Sequence, residues 1–218
     1  MITETSRGKS LWARSKARLL RSSDGGFDRQ ASEALAWIMT RYSGQEKNGA
    51  SGCRVLIAGS DKTARPQSSA LLLARAVAQD VGRVLLIDTS QGATALSGPM
   101  ELPRAPGFSE LCQGKATFSE VIRRDPEGTL HFLATGKPRV LAGEWGAPGM
   151  LDKICRALDE SYNVTLFCAE LPEAMLLART LRRPFVAGVM VRSRDAETDT
   201  SDDLDALDFP LHWLDQRD

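Results

Sequence analysis

Short apolar runs alternate with amphipathic segments along most of the chain, after a polar N-terminal region. The runs are of strand length and rich in Val, Leu, Ile and Ala, which is typical of strands buried on both faces of a parallel sheet. The segments between them have the spacing of helices. This order predicts a three-layer α/β/α domain with a mostly parallel sheet. We predict strands at 53–58, 83–88, 129–134, 164–169, 185–191 and 211–214, and helices at 28–43, 68–79, 150–160, 173–181 and 202–207.

The first of these helices has a clear apolar face. Leu35, Ile38, Met39 and Tyr42 recur at the spacing that places them on one side of a helix. Glycine and proline are frequent at 92–106 and 136–149, which we interpret as loops. A further short basic helix is predicted at 9–21, followed by a glycine-containing linker at 22–26.

Length and charge favour a single domain with a distinct N-terminal arm. A chain of 218 residues that is 42% hydrophobic can bury one substantial core. Its 28 basic and 28 acidic residues balance, so no overall field attracts nucleic acid, and we expect none as a partner. We assign 1–26 to a basic, flexible arm and 27–218 to the domain. The arm is either a partner contact or a solvated tail, and the stretch 195–208 is correspondingly acidic.

Cysteine and histidine usage argues against a disulfide framework or a metal centre. The four cysteines lie far apart without a C-x-x-C pair, so we expect buried free thiols in a reducing compartment. There are two histidines, which leaves little for a metal site. No apolar stretch reaches the ~18 residues of a membrane span, and no signal-peptide core is present. These features predict a cytoplasmic protein.

Several segments resemble a known family in the same order along the chain. The segment 53–90, CRVLIAGSDKTARPQSSALLLARAVAQDVGRVLLIDTS, resembles the first βαβ unit of the MinD/ParA-type P-loop ATPases. It resembles more closely the cytoplasmic tyrosine-kinase domains of bacterial polysaccharide export, of the Wzc/CpsD type. The segments 106–114 (PGFSELCQG), 129–136 (TLHFLATG) and 186–191 (VAGVMV) are similar to later motifs of that family. The likeness covers about residues 30–215 and implies a P-loop NTPase-like fold.

The phosphate loop departs from the family pattern. The family's deviant Walker A sequence, K-G-G-x-G-K-[ST]-T, corresponds here to KTARPQSS at 62–69. Gln67 stands where the resemblance places the phosphate-binding lysine. The glycines that let a loop point its N–H groups at phosphates are missing, and Pro66 has no N–H to donate. Pro66 suits the first turn of a helix instead. The resemblance therefore implies a degenerate nucleotide site.

Some functional groups of that site remain. Lys62 takes the position of the family's signature lysine, and Arg65 lies in the same loop. Ser68 and Ser69 could present hydroxyls at a helix N-terminus, where anions are favoured. Asp88 matches the aspartate that, by resemblance, orients magnesium or the attacking group. The alternative is a basic surface loop followed by an aspartate that caps a turn.

The second magnesium-binding position is also altered. The segment 162–168 (YNVTLFC) aligns with the family's Y-D-Y-V-I-I-D, which places Cys168 at the carboxylate position. A thiol is a poor ligand for magnesium, which prefers oxygen. Glu170 lies two residues further on and would share the strand face if the strand continued, so rescue by Glu170 stays open.

Phosphoryl transfer depends on lysine, backbone donors and magnesium, and each is lost or damaged here. With only Tyr42 and Tyr162, the chain also lacks the tyrosine-rich tail of the kinase branch. We predict a non-hydrolysing regulatory or scaffold protein with no catalytic or metal-binding residue, no required cofactor and at most weak binding of ATP and magnesium. The alternatives are a weak ATPase or tyrosine kinase, or a MinD/ParA-like positioning factor for another envelope machine. The predicted vestigial site comprises Lys62, Arg65, Gln67, Ser68, Ser69, Asp88 and Cys168.

The resemblance also suggests a setting, which is bacterial exopolysaccharide synthesis or export. The implied partner is a membrane polysaccharide co-polymerase or a homologous ATPase or kinase subunit, in a homo- or hetero-oligomer. The protein would then be cytoplasmic and peripheral at the inner membrane through that partner.

Overall fold

A seven-stranded sheet with helices on both faces forms the molecule. The computed structural model describes residues 25–47, 52–61, 63–90, 96–137, 145–193, 204 and 207–216. The strands are β1 (Cys53–Gly59), β2 (Val84–Asp88), β3 (Ile122–Arg124), β4 (His131–Leu133), β5 (Val164–Ala169), β6 (Ala187–Arg192) and β7 (Leu211–Asp215). The helices are α1 (Gly25–Lys47), α2 (Gln67–Asp80), α3 (Phe108–Cys112), α4 (Phe118–Val121), α5 (Met150–Ser161) and α6 (Leu171–Thr180).

The strand order is β3-β4-β2-β5-β1-β6-β7, and every neighbouring pair is parallel except β3 and β4. β5 therefore lies between β1 and β2. Its register pairs Cys168 with Ile57 on one side and with Asp88 on the other. Because the carboxyl ends of parallel strands share one edge, the loops after β1, β2 and β5 meet there.

Alternate residues of the central strands pack into two apolar layers. On one face, Val55, Ile57 and Leu166 pack with α1 and α2, whose contribution includes Leu35 and Leu73. On the other face, the intervening residues pack with α5, α6 and α3. Because the central strands are buried on both faces, their sequences are continuous apolar runs. This packing confirms the predicted three-layer α/β/α fold.

The long elements agree with the sequence prediction to within a few residues, except that α1 is longer at both ends. It begins at Gly25, inside the predicted linker, and continues to Lys47. α3, α4 and β3 were not predicted, because an element of one turn or three residues has too few positions to show a period. The predicted helix at 9–21, the arm before Gly25 and most of the acidic stretch 195–208 lie outside the described residues, and of the predicted helix at 202–207 only Leu204 and Leu207 are described.

Two further sequence predictions concern the cysteines and the length of the helices. All four cysteines are buried and free, as predicted. Burial raises the pKa of both Cys53 and Cys155 to about 12, so these thiols stay protonated at neutral pH. Within the described ranges, every helix is too short or too polar to span a bilayer.

Candidate functional site

The loop after β1 folds back over the end of its own strand. Ala64 is buried, and a Cβ added to Gly59 would lie 3.2 Å from the Cβ of Ala64. The close approach explains the glycine at the end of the strand. The loop leads directly into α2, where Pro66 takes the N-cap position with helical backbone angles. This part of the sequence prediction, a proline suited to a helix start, is confirmed.

The carboxylate of Asp61 accepts the N–H groups of this loop. Its Oδ1 receives the backbone N–H of Thr63 at 2.7 Å and that of Ala64 at 3.0 Å, together with the Thr63 hydroxyl. Its Oδ2 receives the Ser60 hydroxyl at 3.0 Å. Partial burial raises the pKa of Asp61, but these hydrogen bonds outweigh burial and leave the pKa below its ordinary value. Asp61 thus caps this loop in the manner of an Asx turn.

Two further backbone N–H groups of the described part of this loop donate to other segments of the chain. The N–H of Ser60 donates to the carbonyl of Val191 at 2.8 Å. The N–H of Arg65 donates to Oε1 of Gln216, which follows β7, at 2.7 Å. Pro66 has no N–H. The guanidinium of Arg65 turns back to the carbonyls of its own loop, with Nη1 at 3.1 Å from that of Thr63.

Gln67 lies in the first turn of α2 with its side chain directed inward. It is 6% exposed, and its Nε2 donates to Oγ of Ser90 at 3.1 Å. Ser90 is fully buried in the loop after β2. The amide therefore links the start of α2 to the loop after β2 instead of projecting into solvent.

Asp88 serves as an acceptor for the loop that follows its strand. It is fully buried, and its carboxylate accepts the N–H of Ser90 at 3.0 Å and that of Leu96 at 2.7 Å. Burial raises the pKa of Asp88 above its ordinary value, against the lowering effect of these bonds and of the Arg104 charge. The geometry is that of the turn-capping aspartate left open by the sequence.

Cys168, on β5, belongs to the same buried cluster as Asp88 and Ser90. Its pKa is raised well above the ordinary value by burial and by the nearby charges of Asp88 and Glu170. Its carbonyl accepts both the N–H and the hydroxyl of Thr89, at 2.9 Å and 2.8 Å. The strand ends at Ala169, and Glu170 is the N-cap of α6. The strand continuation needed for the proposed rescue by Glu170 is therefore absent.

The donor set does not fit magnesium. A hard cation needs several oxygen ligands, whereas a protonated thiol occupies one position and both oxygens of Asp88 already accept backbone N–H groups. Across the described ranges, no group of three or more His, Cys, Asp or Glu side chains could hold a metal ion.

The structure brings together only part of the predicted site. Gln67, Asp88 and Cys168 converge around Ser90 at the sheet edge, and Ser69 is buried behind them. Ser68 and Arg65 are exposed, and Lys62 lies outside the described residues. Sequence reasoning missed Asp61, Thr89, Ser90 and Gln216. Asp61 had a local signal, since an aspartate two residues before a threonine favours an Asx turn, but nothing local marks Gln216.

The opposite, amino end of the sheet carries buried charges. Arg54, which is 4% exposed, donates to both oxygens of Asp159 at 3.0 Å and 2.7 Å. Arg183 donates to the same carboxylate at 2.9 Å and to the carbonyl of Gly52 at 2.9 Å. A cleft of about 170 Å³ opens beside this cluster, and Arg183 also lines a second one of about 450 Å³.

Neither the protein-family models nor the curated proteins contain a match to this chain. Solved structures do match. The BceF tyrosine kinase domain aligns with 96% of this chain and 88% of its own at 17% identity, with a TM-score of 0.68. The kinase domain of the Escherichia coli tyrosine kinase ETK aligns with 92% of this chain and 81% of its own at 16% identity, also with a TM-score of 0.68.

A third structure is more distant. Cobyrinic acid a,c-diamide synthase from Mycobacterium smegmatis, solved with bound ADP and magnesium, covers 75% of this chain and 74% of its own at 15% identity, with a TM-score of 0.56. Identities at this level establish a shared fold. The chain therefore has the MinD/ParA-type P-loop fold, close to Wzc-like domains, as the resemblance implied.

Proposed function

We propose that this protein is a non-hydrolysing regulatory or scaffold subunit of bacterial exopolysaccharide synthesis or export. It keeps the P-loop fold as a binding platform and does not use ATP. Its partner is a membrane polysaccharide co-polymerase or a homologous ATPase or kinase subunit. It acts in the cytoplasm, at the inner membrane through that partner.

One observation carries the proposal, namely that the chain's own side chains use the groups that would bind nucleotide. Asp61 accepts the loop N–H groups, and Gln67 is bonded to Ser90. Asp88 accepts two N–H groups of the next loop. A phosphate would have to displace Asp61 without gaining a lysine or a glycine-rich cradle. Each lost charge-assisted contact is typically worth ~1.5–3 kcal/mol, or about tenfold or more in affinity.

The polysaccharide setting comes from the sequence resemblance to the Wzc/CpsD type. The similarity in fold to the BceF and ETK kinase domains supports it at the level of architecture. Tyr42 and Tyr162 are partly or fully buried on α1 and before β5, and the Tyr162 hydroxyl is 2.8 Å from Nδ1 of His131. Because of this burial, neither tyrosine is a ready substrate for autophosphorylation. This favours the regulatory function over the kinase alternative.

The test is calorimetry and a turnover assay with ATP, with and without magnesium, on the full chain. A P-loop kinase domain of the same fold serves as the positive control. We expect no binding below millimolar ATP and hydrolysis equal to that of buffer. Micromolar binding with magnesium-dependent turnover that Asp88→Ala abolishes would overturn the proposal and support the weak ATPase that uses Lys62, Arg65 and Asp88.

A variant with restored phosphate-loop residues tests which of the altered residues prevents ATP binding. Combining Asp61→Gly, Pro66→Gly and Gln67→Lys removes the internal anion and returns the glycine and the lysine. We expect this variant to gain measurable ATP affinity, whereas Gln67→Lys alone does not, because the N–H groups stay bonded to Asp61. If Gln67→Lys alone restored full affinity, the role given to Asp61 would be wrong.

A further inference from the structure

The end of β7 contacts three other parts of the chain, namely α1, β6 and the loop after β1. Asp215 is the last residue of the strand, and Gln216 follows it. β7 stands at one end of the strand order and, within the described ranges, pairs with β6 alone. A strand that is paired on one side has fewer bonds to lose than a central strand, so its end opens at a lower free energy. The contacts of Asp215 and Gln216 should therefore form and break together.

Asp215 is bonded to the first half of α1 through a single side chain. Its backbone N–H donates to Oε1 of Gln30 at 2.9 Å, and its Oδ2 accepts Nε2 of the same amide at 2.9 Å. Successive N–H groups of a strand point to opposite sides, and that of Gln216 donates to the carbonyl of Arg192 on β6. The N–H of Asp215 therefore points away from the sheet, and Gln30 supplies the acceptor that an edge strand lacks.

The other oxygen of the Asp215 carboxylate is bonded to β6. Nε and Nη2 of Arg192 donate to Oδ1 of Asp215 at 3.0 Å and 2.7 Å. The N–H of Gln216 donates to the carbonyl of Arg192 at 2.8 Å. Because α1 and β6 both hold Asp215, the position of this residue fixes the direction in which Gln216 leaves the sheet.

Gln216 bonds in turn to the loop after β1. Its Oε1 accepts the N–H of Arg65 at 2.7 Å. The N–H groups of Thr63 and Ala64 donate instead to Asp61, in the loop itself. The loop is thus held by two sets of bonds. One is local and centres on Asp61, whereas the other comes from a residue 151 positions away and depends on where the end of β7 lies.

We propose that the end of β7 is a latch that couples the first half of α1 to the loop after β1. Displacement of α1 breaks both bonds between Gln30 and Asp215, which releases the strand end and withdraws Gln216 from the N–H of Arg65. Gln30, Asp215 and Gln216 are each half-buried, so a molecule that contacts the start of α1 can reach the latch. The coupling does not require the loop to bind nucleotide, or to fail to bind it, and is independent of the function proposed above.

The test is residue-specific amide hydrogen exchange, measured by NMR on the full chain and on Gln30→Ala. Because this variant loses two hydrogen bonds to Asp215, we expect the Arg65 amide to exchange about tenfold faster. The Ala64 amide, which is bonded within the loop, should exchange at its original rate. Glu33→Ala, at an exposed position of the same helix, is the matched control and should change neither rate. An unchanged rate at Arg65 in Gln30→Ala would overturn the proposal, since the contact between α1 and β7 would then be purely local.

Variants of Gln216 test the coupling from the other end. Gln216→Ala removes one bond to the loop, and because coupling is reciprocal, amides 30–34 of α1 should exchange about fivefold faster. Gln216→Glu keeps an acceptor for the Arg65 N–H and should leave α1 unchanged. If Gln30→Ala also accelerated exchange at Ile57 in β1, general destabilisation would explain the first result, and the two Gln216 variants would decide. Equal exchange of α1 in Gln216→Ala and in the unaltered chain would overturn the coupling.

Discussion

Buried polar groups are stabilised in different ways at the two ends of the parallel sheet. At the carboxyl end, the Gln67 amide donates to Ser90, and the Asp88 carboxylate accepts the backbone N–H groups of Ser90 and Leu96. At the amino end, fully charged groups pair, with Arg54 and Asp159 both about 95% buried. The described clefts adjoin the amino end. In open α/β sheets of this kind the carboxyl end is the usual ligand site.

The ion pairs at the amino end and the hydrogen-bonded network at the carboxyl end should also contribute differently to stability. A buried ion pair is strongly destabilising to break, because one charge is left without its partner. A hydrogen-bonded polar network costs less to interrupt, since each lost bond leaves one neutral or partly satisfied group. The stability of the molecule should therefore respond more to changes at the amino end, although ligand sites in sheets of this kind usually lie at the carboxyl end.

Arg54→Ala should have the largest effect of the single changes. It leaves the Asp159 carboxylate buried with only Arg183, and breaking a buried pair typically costs ~3–5 kcal/mol. Urea denaturation followed by circular dichroism measures the loss. Arg182→Ala is the matched control, because Arg182 is 88% exposed and its pair with Asp152 should contribute at most ~1 kcal/mol. Equal losses of unfolding free energy for Arg54→Ala and Arg182→Ala would contradict the expected difference between a buried and an exposed ion pair.

Asp88→Ala should have an intermediate effect. It removes the acceptor of the Ser90 and Leu96 N–H groups, for an expected loss of about 2–3 kcal/mol. Asp88→Asn retains one acceptor oxygen and should lose roughly half as much. The same denaturation experiment checks both. A neutral result for Asp88→Ala would mean that the carboxylate has no structural role, and a functional role would have to be reconsidered.

Asp61→Ala should have the smallest effect, about 1 kcal/mol, because the residue is partly exposed. The hydrogen bonds that lower its pKa stabilise the fold only while it is ionised. The difference in unfolding free energy between the unaltered chain and Asp61→Ala should thus be constant above about pH 4, the unfolded pKa. It should shrink as pH falls further through the lowered folded pKa.

Asp61→Asn is the control for the pH series. The amide keeps an acceptor for Thr63 and Ala64 but does not titrate, so its stability relative to Asp61→Ala should not change in the same pH range. Thermal unfolding between pH 2.5 and 7 would measure both differences, with the range chosen around the unfolded pKa of about 3.9. A pH-independent difference for the unaltered chain would show that Asp61 does not cap the loop as a carboxylate.

The sequence predicted the elements that are long and apolar, because strand and helix periodicity can be recognised from neighbouring residues. The grouping of Gln67, Asp88 and Cys168 came instead from the family resemblance. The short α3, α4 and β3 escaped prediction, since their formation depends on what they pack against. The resemblance marked Gln67 and Cys168 as departures from the family pattern, but it did not predict the contacts that their side chains make.

By itself, the sequence determined the layered α/β build and the order of its strands along the chain. Only the tertiary structure decided which groups meet. Arg65 and Gln216 are 151 residues apart, and Arg54 and Asp159 are 105 apart, yet each pair is in direct contact. Their contact follows from a sheet order in which β5 lies between β1 and β2, and β6 and β7 lie beyond β1. That order depends on packing between elements that are far apart in the chain, so no local pattern contains it.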